Sequence, residues 1–312
     1  MNAPSDPGIP LRLEGRAARP PAAAGAVGTP RPPGLRGGIR AVLFDLYGTL
    51  FEVGPPPPDA DARWQRLFRE SLDTEPPLGR VEFFAACSQV IGRHHAAARR
   101  QGVPWPEIQW PSIVLEVLPG LARLLGEPAE GRTGEPAKGR EGEKASAAHT
   151  AGSAELRPTG WSPRDEFLLR QVQASRTIEL TAGTAALLRW LRERGLPLGI
   201  VSNAQAYTWR ELELALAVHG LDLSLFEREL CFLSFEHGFS KPDPHVFRIL
   251  TARLEARGIR PAEILMVGDR LDNDIEPARA CGWQTWQRTS PSDGDWAGLR
   301  RWLDPPPKLI SA

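Results

Sequence analysis

The stretch Ala41–Phe51, AVLFDLYGTLF, runs apolar up to a single carboxylate, Asp45, and then breaks at Gly48. Three other apolar runs end in comparable chemistry. LPLGIVSNA delivers Ser202 and Asn203, EILMVGDRLDND delivers Asp269, Asp272 and Asp274, and ELCFLS is followed by FSKPDP, which contains Lys241. Carboxylates, a hydroxyl, an amide and an ammonium together suit a site that binds an anion beside a divalent cation. A carboxylate can also act as a covalent nucleophile and be transiently esterified. One aspartate at a strand end is more often a turn or capping residue, but four strand ends carrying such groups point to a shared site. Asp272 fits no role in it and reads as a solvated loop residue.

These residues need a frame that brings strand ends together. IRAVLFD, LPLGIVS, ELCFLS and EILMVGD are strand-like and bounded by Gly, Pro, Asp, Asn or Ser, and GWQTWQR near Trp283 extends the series. Between them, GTAALLRWLRERG and DPHVFRILTARLEARG carry apolar residues at helical spacing and end in glycine. The alternation predicts an α/β fold, a Rossmann-like doubly wound parallel sheet with helices on both faces. Ligands of such sheets sit beyond the carboxyl ends of the strands. AQAYTWRELELAL, just after Asn203, reads as a helix whose N-terminus faces that edge and favours an anion there.

Between Gly54 and Ser175 the pattern is helical throughout, in DADARWQRLFRESL, VEFFAACSQVIGRHHAAARRQ, SIVLEVLPGLARLL and PRDEFLLRQVQASR. This predicts an α-helical cap inserted after the first strand. The expected organisation is a disordered tail over 1–38, a core over 39–53 and 176–290, a cap over 54–175, and a C-terminal extension over 291–312. Residues 126–160 inside the cap, where GEPA-x-GR almost repeats, have too few apolar side chains to offset chain entropy and read as a disordered loop. The 1–38 segment is rich in Pro, Ala, Gly and Arg, with only Asp6 and Glu14 as acids, a composition shared with organelle transit peptides; a disordered tail is the reading taken.

The 312 residues carry 38 basic and 38 acidic side chains, so no net field draws the chain to nucleic acid or membrane. No apolar run approaches the roughly 20 residues that cross a bilayer. Cys87, Cys231 and Cys281 are odd in number and far apart, which suits neither a disulfide framework nor a zinc site and fits a reducing cytoplasm. The expected partner is a small molecule.

Asp45-Leu46-Tyr47-Gly48-Thr49, Ser202-Asn203, Lys241-Pro242 and Gly268-Asp269 with Asn273-Asp274 resemble, in this order, the four motifs of the haloacid dehalogenase-like hydrolase superfamily. The helical insertion falls where that superfamily's subclass I caps fall, and the resemblance spans roughly Arg40 to Arg288. It implies that Asp45 is the nucleophile and that Lys241 offsets charge between it and a bound anion. It also implies that Thr49, Ser202 and Asn203 bind substrate. Mg²⁺ would be held by Asp45, Asp269 and the main-chain carbonyl of Tyr47, with Asp274 orienting that shell.

Tyr47 departs from the pattern. Phosphatases of the superfamily carry a second aspartate there, which protonates the leaving group and later activates water. A phenol with a pKa near 10 is a poor substitute, and general acid–base catalysis contributes about 10²–10⁴-fold. D-x-Y-G-T is the pattern of the 2-haloacid dehalogenases, whose departing halide needs no proton and whose chemistry needs no metal. GDRLDND, however, keeps the acidic pair of the magnesium-dependent phosphatases. The expectation is a Mg²⁺-dependent phosphatase acting on a small phosphorylated metabolite. The alternatives are a 2-haloacid dehalogenase or a feebly active member that serves as a binding module.

Weaker signals have plainer readings. His94-His95 precede AAARR and suggest a basic outer helix face rather than a metal site. Arg63 and Arg66 follow the first motif, where dehalogenases use a cap arginine, yet solvated helix arginines are common. Trp64, Trp105, Trp110 and Trp161 are expected to pack the cap core.

Overall fold

Four apolar residues with no polar face are satisfied in the middle of a sheet covered on both sides. Strand β1 (Ala41–Phe44) is such a run, and every residue of it is buried. The computed structural model describes residues 38–125, 162–289 and 293–304. After β1 come β2 (Phe51–Gly54) and helices α1 (Ala60–Leu72), α2 (Arg80–Arg100), α3 (Trp110–Val117), α4 (Ala122–Leu125) and α5 (Pro163–Gln173). Then follow β3 (Thr177–Leu180), α6 (Thr184–Glu193), β4 (Leu198–Ser202), α7 (Thr208–Ala217), β5 (Phe232–Leu233) and α8 (Pro244–Glu255). Strand β6 (Ile264–Gly268), α9 (Glu276–Ala280), β7 (Gln284–Gln287) and α10 (Asp293–Leu303) complete the described elements.

The main sheet has the order β5-β4-β1-β6-β7 and is parallel throughout. Val42 and Phe44 enter one apolar core with Leu187 and Leu188 of α6, while Ala41 and Leu43 enter another with Val246 and Phe247 of α8. This is the doubly wound α/β fold that the alternation predicts, and GWQTWQR supplies its edge strand β7. The chain fills one side of β1 with β4 and β5, then crosses to the other with β6 and β7. The point where strand order reverses lies at the carboxyl end of β1, where such sheets open a crevice.

Helices α1, α2, α3 and α5 pack round a separate apolar core that includes Trp64, Phe68, Phe83, Trp110 and Phe167. SIVLEVLPGLARLL is not one helix. Pro119 cannot donate the intrahelical hydrogen bond, so α3 stops at Val117, a 3₁₀ turn covers Pro119–Leu121, and α4 starts afresh. The segment before α3 is fastened to the α/β core: Ser240 N–H donates to the Trp105 carbonyl and Glu107 N–H to that of Gly238. Glu107 accepts from Gln205 Nε2 at 2.9 Å and from the Ser234 hydroxyl.

Two features lie beyond the sequence expectations. Strands β2 and β3 pair antiparallel, from Phe51 opposite Leu180 to Gly54 opposite Thr177, so the two ends of the helical insertion leave and return side by side. The segment after residue 290 contributes α10, whose Trp296, Leu299 and Leu303 are buried in the same core as α6. The 1–37 part of the expected tail, the expected 126–160 loop and Trp161 lie outside the described residues. Among the described residues no helix is long and apolar enough to cross a membrane.

Candidate active site

Asp45 leaves the end of β1 and is 6% exposed. Lys241 Nζ, itself buried, donates to Asp45 Oδ1 at 2.8 Å and to Asp274 Oδ1 at 2.5 Å. Asp269 follows β6, and Asp45, Asp269 and Asp274 each place a carboxylate oxygen within 4.8 Å of the others. Both oxygens of Asp274 are engaged, since Oδ2 accepts from Arg270 N–H at 3.0 Å. The backbone permits this crowding only through glycine. A Cβ on Gly48, whose φ is +87°, would lie 2.5 Å from Asp269 Oδ2, and one on Gly268 would lie 2.4 Å from the Asp274 Cβ.

Three carboxylates around one ammonium leave an excess of negative charge in a dry place. Burial raises the pKa of Asp45 against the pull of Lys241, and Asp269 adds to the rise. Burial and then Asp274 raise Asp269. Asp274 is pushed up to about 6, by burial above all. Burial works against the Lys241 ammonium, but Asp274 and Asp45 outweigh it and keep the group charged. An all-oxygen donor set with surplus negative charge suits a hard divalent cation of the Mg²⁺ type.

Around this centre the polar groups are ordered. Asn203 brackets the lysine backbone, its Oδ1 accepting from Lys241 N–H at 2.7 Å and its Nδ2 donating to the Lys241 carbonyl at 3.0 Å. Thr49 is fully buried, and its hydroxyl donates to Asp269 Oδ1 at 3.3 Å. Ser202 ends β4 with no exposed surface, and its Oγ has no hydrogen-bond partner among the described residues. A buried hydroxyl without a partner is uncommon and invites a ligand.

The phenol of Tyr47 does not stand free. Its hydroxyl donates to Glu211 Oε2 at 2.5 Å, lies 2.8 Å from Thr208 Oγ1, and accepts from Arg176 Nη2 at 3.2 Å. The same Arg176 nitrogen bonds both Glu211 oxygens, and the guanidinium sits 4.6 Å from the Tyr47 ring centre. Burial pushes this phenol well above its ordinary 10; Arg176 opposes the rise and Glu211 adds to it.

A family model described as haloacid dehalogenase-like hydrolase matches residues 39–282. The chain belongs to that family. A glyceraldehyde 3-phosphate phosphatase of Methanopyrus kandleri is 38% identical over 98 residues, which is 31% of this chain and 38% of that one. Haloacid dehalogenase-like hydrolase domain-containing protein 3 of Bos taurus is 30% identical over 147 residues, 47% of this chain and 54% of its own. A phosphoserine phosphatase of Thermus thermophilus is 38% identical over 98 residues, 31% of this chain and 35% of its own. The chain thus spans between about a third and about half the length of these relatives. Among solved structures, a haloacid dehalogenase family enzyme of Bacteroides thetaiotaomicron is 17% identical with a TM-score of 0.46, covering 84% of this chain and 98% of its own. A 2-haloacid dehalogenase of Pseudomonas syringae pv. tomato is 16% identical with a TM-score of 0.47, covering 85% of this chain and 100% of its own.

In this family member the sequence-predicted residues Asp45, Thr49, Lys241, Asp269 and Asp274 form one connected cluster, and Asn203 holds the lysine loop. The Asn203 side chain, expected to bind substrate, bonds the Lys241 backbone through both its oxygen and its nitrogen, and the Thr49 hydroxyl donates to Asp269. Asp272 is paired with Arg270 at the surface. Arg63 pairs with Asp59 on the exposed face of α1, and Arg66 is exposed beside it. His94, on the exposed face of α2, bonds Glu116 of α3. Trp64 and Trp110 pack the helical core, and Trp105 is half-buried in the fastened segment. Sequence reasoning missed Glu211, Arg176 and Thr208 around Tyr47. The one available signal was an acid, Glu211, amid the apolar positions of α7.

Proposed function

We propose that the protein is a Mg²⁺-dependent phosphatase that works through an aspartyl-phosphate on Asp45, with a small phosphorylated metabolite as substrate. The observation that carries this reading is the buried Lys241 bridge between Asp45 and Asp274, set beside Asp269. Asp45, Asp269 and the main-chain carbonyl of Tyr47 would hold the cation, which when bound neutralises negative charge on the carboxylates and the phosphoryl oxygens. The phosphatase names of two relatives support the same reaction class.

A carboxylate oxygen of Asp45 attacks phosphorus, the ester P–O bond breaks, and its electron pair leaves with the oxygen of the departing group, which takes a proton from solvent. Water then attacks the phosphorus of the aspartyl-phosphate, releasing inorganic phosphate and restoring the carboxylate. Lys241 keeps Asp45 oriented and offsets the charge that gathers between nucleophile and phosphoryl group. The Ser202 hydroxyl, without a partner among the described residues, would donate to a phosphoryl oxygen. Asn203 and Asp274 act on Lys241, the first through its backbone and the second through its ammonium. Helices α1 to α5 act as a cap that excludes water and selects substrate. The Glu107 fastening to Gln205 and Ser234, on the loops next to Asn203 and Lys241, supports that role.

The test is release of free phosphate from a broad panel of phosphate esters, with Mg²⁺ and then with chelator, using Asp45→Asn as the control. Magnesium-dependent release lost in the variant is the expected result, and no release from any ester overturns the proposal. One observation favours a second reading: Tyr47 stands where phosphatases carry an acid, as it does in dehalogenases. Metal-independent halide release from 2-haloacids, lost in the same Asp45→Asn variant, would decide for it.

A further inference from the structure

Arg288 follows β7 and is 3% exposed, with its guanidinium 4.7 Å from the ring centre of Trp296 on α10. Its Nη1 donates to the Thr49 carbonyl at 2.8 Å and the Gly48 carbonyl at 3.3 Å. Its own backbone N–H donates at 2.8 Å to the carbonyl of Gly268, the residue before Asp269. The neighbouring Gln287 donates from Nε2 to the Asp269 carbonyl at 3.1 Å. One short segment thus grips both loops that carry the facing carboxylates.

Among the described residues no carboxylate is hydrogen-bonded to this guanidinium. Arg288 Nε and Nη2 are buried without hydrogen-bond partners among the described residues. Burial lowers its pKa, and the charges of Asp295, Asp269 and Glu52 oppose that. Without an ion pair among the described residues to offset desolvation, burying this guanidinium costs stability. The carbonyls it holds belong to the tight turn after the nucleophile, where Gly48 N–H donates to the Phe51 carbonyl and the Thr49 and Phe51 N–H groups donate to that of Leu46. Trp296 is in turn fixed by its indole N–H, which donates to Thr184 Oγ1 at 3.0 Å and Thr181 Oγ1 at 3.3 Å. Thr181 Oγ1 donates at 3.2 Å to the same Thr49 carbonyl.

We propose that Arg288, braced by Trp296, is a positioning residue: it sets the turn at Gly48–Thr49 and thereby the distance between Asp45 and Asp269. The inference rests on the reading of those two carboxylates as the working pair. A donor outside the metal and substrate shells acts on such a pair by fixing geometry, and losing one commonly weakens metal affinity by about 10–100-fold.

The experiment uses the full chain as Arg288→Met, Arg288→Lys and Trp296→Phe. Amide hydrogen exchange of the segment 46–51 is measured against β1, β4 and β6, and Mg²⁺ affinity is measured by calorimetry. In Arg288→Met, exchange over 46–51 is expected to rise about tenfold with the strands unchanged. Mg²⁺ affinity is expected to fall roughly tenfold or more. Arg288→Lys, whose ammonium still reaches a carbonyl, restores part of both, and Trp296→Phe moves both in the direction of Arg288→Met. If Arg288→Met does not fold, Arg288→Lys and Trp296→Phe carry the decision alone. Unchanged exchange over 46–51, or a rise spread evenly over all strands, overturns the proposal in favour of a purely structural cation. The exchange readout needs no turnover. A wild-type protein that hydrolyses no ester would therefore sink the phosphatase reading without deciding this one.

Discussion

Tyr47 donates its hydroxyl hydrogen to Glu211 across 2.5 Å, and Arg176 binds both of them. The residue that stands in the general-acid position of a phosphatase therefore has its proton committed to a buried carboxylate on α7. Removing the hydroxyl in Tyr47→Phe breaks a bond to an ionisable partner, and the fold is expected to lose about 1–3 kcal/mol in urea denaturation. The pH profile of turnover should keep its shape, because the phenol's hydrogen is held by Glu211. Tyr47→Asp supplies the missing acid and is expected to raise hydrolysis of alkyl phosphates by an order of magnitude or more. No gain, or a loss, would undercut this account of Tyr47.

The carboxylate cluster makes stability depend on pH in a definite direction. Asp274 titrates at about 6 in the fold against an ordinary 3.8, so the folded state holds its proton more tightly than the unfolded chain. That contribution is fully present below the ordinary value and is lost as pH rises through the folded one. Asp45 and Asp269 are shifted the same way. Mg²⁺ should offset the charge once the protons are gone, so it should raise the thermal midpoint more at about pH 7.5 than at about pH 5. An equal shift at both values would remove the cluster from the metal site.

Lys241 bridges Asp45 and Asp274 through its ammonium. Lys241→Met leaves two buried carboxylates facing each other without a cation, a change of the kind that costs about 3–5 kcal/mol. The expected outcome is a lowered midpoint that Mg²⁺ partly restores, with turnover lost in the folded fraction. Thermal melts with and without metal, paired with phosphate release, check it.

Gly48 has no room for a side chain. In Gly48→Ala a methyl would sit against Asp269 Oδ2 on a backbone at φ +87°, so Asp269 must shift and the turn is strained. A left-handed conformation for a residue with a Cβ costs about 1–2 kcal/mol before the clash is counted. The variant should be less stable by at least that amount and bind Mg²⁺ more weakly, which urea denaturation and calorimetry would show.

Much of this was legible in the residues themselves. The four apolar runs that end in Asp45, Ser202, the Lys241 loop and Asp269 form parallel strands because an all-apolar run leaves no face for water. Their termination by polar residues marked the sheet edge that carries the site. The β2–β3 pair was not legible: TIEL alternates in exposure over four residues, and its partner lies more than a hundred positions away in the chain. Helix α10 was missed in the same way, since its Trp296, Leu299 and Leu303 acquire a core only once α6 is beside them.

The sequence by itself determined the sheet, its edge and the residues that meet there, Asp45, Lys241, Asp269 and Asp274. These depend on local patterns, on apolar periodicity and on what each side chain can do chemically. The tertiary structure alone decided how those groups are engaged. It turned the Tyr47 phenol to Glu211, occupied Asn203 with the Lys241 backbone, left the Ser202 hydroxyl without a partner among the described residues, and set Arg288 on the Gly48 and Thr49 carbonyls. Each of these joins residues far apart in the chain. Hydrogen bonds of that kind arise from the packing of distant elements, which no local window of residues contains.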